Sequence, residues 1–156
     1  MKLFQRKYRC PNCDTVLQVK PTRKQECTHC GKFILVRSGK LVTEEQAAIM
    51  DWLIHLENFG VTRRDFDKQR DELSKQFGFQ ASINDTIWRI LNKLVVDYRR
   101  NPVVLEQIYR EMARLASSEG KDPIQYLFEA ENVRRYYRKP SDTPQKWIFL
   151  GHDELN

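Results

Sequence analysis

Four cysteines constrain this chain more than any other feature. They stand as Cys10-Pro11-Asn12-Cys13 and, thirteen residues further on, Cys27-Thr28-His29-Cys30, and the chain contains no others. A pair separated by two residues can wrap one face of a metal ion, because the turn between them aims backbone N–H groups at the sulfurs. Two such turns brought together by a hairpin complete a tetrahedron. Zn²⁺ accepts four thiolates at about 2.3 Å and then has no position left for a substrate. The spacing C-x2-C-x13-C-x2-C lies close to the double-pair pattern of zinc sites. The expectation is a structural Zn²⁺ held by Cys10, Cys13, Cys27 and Cys30.

Two disulfides are the first alternative. The opening residues, Met1 to Lys7, are too short and too charged for a signal peptide. A cytoplasmic chain is therefore expected, and there paired C-x2-C motifs are metal-bound more often than oxidised. A redox dithiol is the second alternative, but it wants a single pair beside a βαβ pattern, which is missing. His29 sits between Cys27 and Cys30, where the turn points it outward, so exposure rather than ligation is expected.

With its flanks, this stretch resembles the zinc-ribbon superfamily, in which two metal-binding knuckles sit on hairpin turns between short strands. Tyr8-Arg9 leads into the first knuckle, and Val16-Leu17-Gln18-Val19 leaves it as an alternating strand. Phe33-Ile34-Leu35-Val36 leaves the second. Gly31 stands where the family needs a positive φ, and Asp14 occupies the matching place in the first knuckle, a mild departure because Asp tolerates that region. The resemblance covers about residues 6–37. It implies a metal and a fold, and no particular activity. Beyond the ribbon, the chain loosely resembles bacterial and phage-encoded proteins that join such a module to a helical bundle, which again implies no activity.

The whole chain carries a net charge of +6. Residues 1–41 hold Lys2, Arg6, Lys7, Arg9, Lys20, Arg23, Lys24, Lys32, Arg37 and Lys40 against Asp14 and Glu26 alone, so the excess of cations sits in the ribbon. A basic patch on so small a module attracts phosphate polymers or acidic protein surfaces. The plainer reading is that these cations soften the charge of the thiolates. On the functional reading, Lys7, Arg9, Lys20, Arg23, Lys24 and Lys32 contact a nucleic-acid backbone, DNA or RNA. The alternative is an adaptor whose ribbon docks on an acidic protein.

After the ribbon, Ser38-Gly39-Lys40-Leu41-Val42 reads as a connector, and five helix patterns follow. Thr43 with Gln46, and Thr62 with Asp65, form capping boxes. Ile49, Leu53, Leu56 and Phe59 mark the first helix, with Gly60 as its stop. Phe66, Leu73 and Phe77 mark a thin apolar stripe on a charged second helix that ends at Gly78. Ser82 caps a third carrying Ile83, Ile87, Ile90, Leu91, Leu94 and Tyr98, the most apolar and expected to be central. Asn101-Pro102 opens a fourth with Leu105, Ile108, Met112 and Leu115, and Asp122-Pro123 a fifth with Ile124, Leu127, Phe128 and Val133. Pro140 to Pro144 reads as a loop and Trp147-Ile148-Phe149-Leu150 as a short extended segment.

The expected fold is mainly α, a zinc ribbon with short β-hairpins followed by a bundle of about five helices. Its parts are 1–42 (ribbon and connector), 43–139 (helical domain) and 140–156 (loop, extended segment and tail). A mean hydropathy of -0.67 and the lack of a long apolar run argue against a transmembrane helix. No catalytic constellation is visible: His55 has no second histidine at i+4, and a zinc ion closed by four thiolates activates no water. The run Arg134-Arg135-Tyr136-Tyr137-Arg138-Lys139 interleaves cations with rings, as single-strand binders do. The plainer reading is preferred: at helical spacing Tyr136 or Tyr137 covers the core, and cations at a helix C-terminus favour the macrodipole. The chain is expected not to be an enzyme.

Overall fold

The computed structural model describes residues 8–138. Lys7 and the readings placed on residues 139–156 lie outside the described residues. Strand β1 (Tyr8–Arg9) pairs antiparallel with β2 (Val16–Leu17), with Tyr8 opposite Leu17. Strands β3 (Gln25–Glu26), β4 (Phe33–Arg37) and β5 (Lys40–Val42) form a second antiparallel sheet in that order. Each of the two hairpins β1–β2 and β3–β4 carries one cysteine pair at its turn, the arrangement expected of a ribbon.

The connector is itself a strand. Arg37 pairs with Lys40 across Ser38-Gly39, whose φ values of 50° and 75° give a two-residue turn with both central residues left-handed. Such turns match the right-handed twist of the strands they join. The second expected strand is shorter than its alternation suggested, ending at Leu17 and leaving Val19 exposed.

Helices α1 (Glu44–Leu56), α2 (Arg63–Phe77), α3 (Ile83–Asp97), α4 (Pro102–Ser118) and α5 (Ile124–Arg138) follow, with a 3-10 turn at Glu57–Phe59. Both capping boxes form: the Thr43 amide donates to Gln46 Oε1 at 3.0 Å while the Gln46 amide donates to Thr43 Oγ1 at 3.1 Å. Thr62 and Asp65 exchange the same pair of bonds. The Asp85 amide donates to Ser82 Oγ at 3.0 Å, and Val104 to Asn101 Oδ1 at 3.3 Å. Four of the helix starts therefore arise where a side-chain acceptor three residues upstream satisfies an amide that the helix leaves open.

The chain divides into two compact units after Ile87, within α3. In the first, Ala47, Ile49, Leu53, Leu56, Phe59, Phe66, Leu73, Ala81 and Ile87 are buried. Phe77, expected on the inner stripe of α2, is instead exposed, its ring 5.4 Å from the exposed Phe79. In the second unit, Ile90, Leu91 and Leu94 of α3 are buried, as are Leu105, Ile108, Met112 and Leu115 of α4. Helix α5 packs on α4 and buries Ala130 and Val133. Ile124, Leu127 and Phe128, the other apolar residues named for that helix, are exposed. No described helix is long and apolar enough to cross a membrane.

Candidate metal centre

Each cysteine pair sits in a turn of the same construction. The Cys10 amide donates to the Thr15 carbonyl at 2.9 Å and the Asp14 amide to the Cys10 carbonyl at 2.9 Å. In the second turn, the Cys27 amide donates to the Lys32 carbonyl at 2.9 Å and the Gly31 amide to the Cys27 carbonyl at 2.8 Å. Asp14 and Gly31 take φ values of 59° and 70° at equivalent places, where the chain must double back after the second cysteine. Two knuckles of one geometry thus face each other. Asn12 joins them by donating from Nδ2 to the Phe33 carbonyl at 3.0 Å.

The four sulfurs lie within 4.8 Å of one another. Cys10 Sγ is 3.9 Å from Cys30 Sγ, and Cys13 Sγ is 3.9 Å from Cys27 Sγ. A tetrahedron with metal–sulfur bonds of about 2.3 Å has edges of about 3.8 Å, so the cage has the size of a four-thiolate site. The same separations are nearly twice a disulfide bond of about 2.05 Å, and all four cysteines are free. Cys10 and Cys27 are buried, Cys13 and Cys30 half-buried, and Ile34 closes the centre with Leu17 and Leu41 packed beside it. His29 is exposed and is not one of the clustered ligands.

The surrounding dipoles favour thiolates. Thr15, through its side chain and then its backbone, pulls the Cys13 thiol down to about 6 against the opposing effect of burial. The amides of Cys30 and His29 lower Cys27. The Asn12 amide points at Cys10 Sγ, 3.4 Å away. At Cys30 the Lys32 amide also favours the thiolate, but burial and the three neighbouring sulfurs outweigh it and push the thiol up to about 11. Four sulfurs pressed together hold a last proton tightly unless a cation is there to replace it. This donor set suits a divalent metal that binds as protons leave.

The basic residues of the ribbon separate into two groups. Arg9 Nη1 donates to Asp14 Oδ2 at 2.8 Å and to the Asp14 carbonyl at 3.0 Å, which makes it a brace of the first knuckle. Lys24 pairs with Glu44 at 3.1 Å, at the start of α1, and its ammonium lies 4.0 Å from the centre of the Phe33 ring. Arg37 binds Asp51 of α1 through Nε and Nη2, both at 2.9 Å. Lys20, over the Tyr8 ring, and Arg23, Lys32 and Lys40 have no acidic partner among the described residues. The sequence offered no sign that Glu44 and Asp51 would take up two of the ribbon's cations. Thr15 and Asn12, which tune and tie the knuckles, were likewise not singled out. His55 is half-buried against the edge of Trp52, ring centroids 6.0 Å apart, and is not one of the clustered ligands among the described residues.

Fold and site together define the class: an N-terminal β-ribbon with four cysteines placed to hold one metal ion, continued by five helices. The chain matches no protein-family model, no curated protein and no solved structure.

Proposed function

We propose that the chain is a non-enzymatic zinc protein whose ribbon rests on a nucleic-acid backbone, with zinc in a purely structural role. The observation that carries this reading is the split among the cations. Arg9, Lys24 and Arg37 neutralise acids, whereas Lys20, Arg23 and Lys32 are exposed without an acid to satisfy them among the described residues. A ribbon that needed cations only to offset its thiolates has no reason to leave these three at the surface. Arg9 and Lys24, grouped with them on sequence grounds, serve the fold first. Four thiolates fill the coordination shell of zinc, so the ion shapes the knuckles and offers nothing to a reacting group.

The test is fluorescence anisotropy of the metal-loaded full chain with labelled duplex DNA, single-stranded DNA and RNA. Three phosphate contacts give a slope near −2.7 in log–log salt dependence, or a roughly 40-fold loss of duplex affinity between 50 and 200 mM salt. Lys20→Glu with Arg23→Glu should abolish binding, while Arg9→Gln should leave it within about twofold, as expected for a cation already spent on Asp14. Absence of binding to all three polymers at 50 mM salt refutes the reading. An acidic protein surface then becomes the partner to seek.

A further inference from the structure

Aromatic rings and ammonium groups meet twice in the ribbon. Tyr8, half-buried on β1 opposite Leu17, carries Lys20 above its ring, with the ammonium 5.5 Å from the ring centre. Phe33, exposed on β4, carries Lys24 in the same way at 4.0 Å. The two pairs differ in what else holds the cation. Lys24 is tied to Glu44, whereas Lys20 is exposed and has no acidic partner among the described residues. Val19, next to Lys20 in the chain, leaves 76 % of its surface open. A charged group rests only over a ring face that opens to solvent, because leaving water costs an ammonium more than the ring returns. The covered face of Tyr8 is therefore one that a ligand can reach.

We infer, resting on the phosphate contacts proposed above, that the polymer is single-stranded nucleic acid, with one base stacked on Tyr8 and the adjoining phosphate held by Lys20. Every base presents a π-face, and a base stacked on an aromatic side chain contributes more than an exposed ammonium does in the same place. The displaced ammonium of Lys20 remains close to the backbone joined to that base, and it moves from the ring to a phosphate. Ring and cation thus fit the two halves of one nucleotide. In a duplex each base is covered by its neighbours, so Tyr8 finds no free face and the cations act alone. Arg23 and Lys32 neutralise phosphates of either polymer, and Tyr8 distinguishes the two. At Phe33 the same exchange must first draw Lys24 away from Glu44, so Tyr8 is the platform already free to accept a base.

The experiment is fluorescence anisotropy of the metal-loaded full chain and its Tyr8→Leu and Tyr8→Phe variants, with single-stranded DNA, single-stranded RNA and duplex DNA. Leucine keeps an apolar side chain opposite Leu17, and phenylalanine keeps the ring. Single strands should bind more tightly than the duplex. Tyr8→Leu should weaken single-strand binding about 5- to 150-fold without changing its salt slope, and leave duplex binding within about twofold. Tyr8→Phe should match the wild type within about twofold on all three polymers. A Tyr8→Leu loss confined to DNA or to RNA upholds the inference and identifies the sugar. In parallel, single strands carrying 5-iodouracil should photocross-link to Tyr8 of the wild-type chain, as located by mass spectrometry; this arm decides the matter if Tyr8→Leu fails to retain its metal. Single-strand binding unchanged in a metal-loaded Tyr8→Leu variant, an equal loss on the duplex, tighter binding to the duplex, or cross-links only away from Tyr8 overturns the inference and leaves the phosphate contacts standing. Binding to none of the polymers overturns both.

Discussion

Removing the metal should unfold the knuckles and leave the helices standing. Among the described residues, the buried cluster at the centre of the ribbon consists of Cys10, Cys27 and Ile34, so Ile34 is its one member that is not a cysteine. Burying an isoleucine stabilises by about 2–3 kcal/mol. Structural zinc in small modules contributes about 10–16 kcal/mol, several times as much. On the proposed zinc assignment the ion, rather than apolar burial, holds residues 8–33 in place. The buried side chains of α1 and α2, among them Ile49, Leu53, Leu56, Phe66 and Leu73, include no cysteine and need no metal. The assay is 15N–1H correlation NMR before and after chelation, with metal content followed by atomic emission. The amides of Cys10, Asp14, Cys27 and Gly31, all hydrogen-bonded within the knuckles, should collapse to random-coil shifts while the signals of α1 and α2 persist. Cys13→Ser should weaken metal binding by more than the ~10–100-fold typical of losing a mere hydrogen-bonding partner of a ligand. Knuckle amides that stay dispersed in protein verified to be metal-free would falsify the reasoning.

Other outcomes follow from the helices. Phe66→Ala removes a fully buried ring from α2 and should cost about 3–5 kcal/mol, read from urea unfolding by circular dichroism. Thr62→Ala deletes the acceptor of the Asp65 amide and should cost about 1 kcal/mol in the same assay, with faster amide exchange confined to the first turn of α2. Asp51 is held below the ordinary carboxylate range by its hydrogen bonds to Arg37, which outweigh burial. Its contribution to stability is complete above the unfolded value of about 3.9 and disappears as pH falls through the lower folded value. An NMR titration of the Asp51 carboxyl should show a depressed midpoint that rises in Arg37→Gln; an unchanged midpoint in that variant rules out the guanidinium as the cause.

What could be read from the sequence was what local chemistry decides. The Thr43 and Thr62 capping boxes depend on residues three apart, and both form as their spacing indicated. The cysteine spacing, with Asp14 and Gly31 each placed to reverse the chain, gave both knuckles and the sulfur cluster. The strand β5 was hidden because its existence depends on pairing with β4 and on Ser38 entering a left-handed conformation that serine seldom adopts. Helix α5 shows the limit of periodicity from the other side. Its apolar residues occupy both faces, and no pattern within the helix says which face α4 covers. The pairing of Arg37 with Asp51 links positions fourteen apart across a strand and a helix, so counting charges within the ribbon does not show which of its cations already have an acidic partner.

That division of cations is open to a direct trial at Lys24. Its partner Glu44 is exposed, as is Lys24 itself, and a single-contact surface pair of this kind contributes only about 0–1 kcal/mol. Arg37, gripping both oxygens of Asp51, is held by two charge-assisted bonds and is much harder to divert. Glu44→Gln should therefore release Lys24 and leave the union of ribbon and α1 to Arg37. If nucleic acid lies across the side of the ribbon that carries Phe33, the freed ammonium adds one phosphate contact and the salt slope steepens by about 0.9. An unchanged slope, with binding otherwise intact, places the polymer away from Phe33 and leaves Lys20, Arg23 and Lys32 to hold it by themselves. A slope that becomes shallower contradicts the assignment of Lys24 to the fold, because it means that removing the acid cost a contact instead of freeing one.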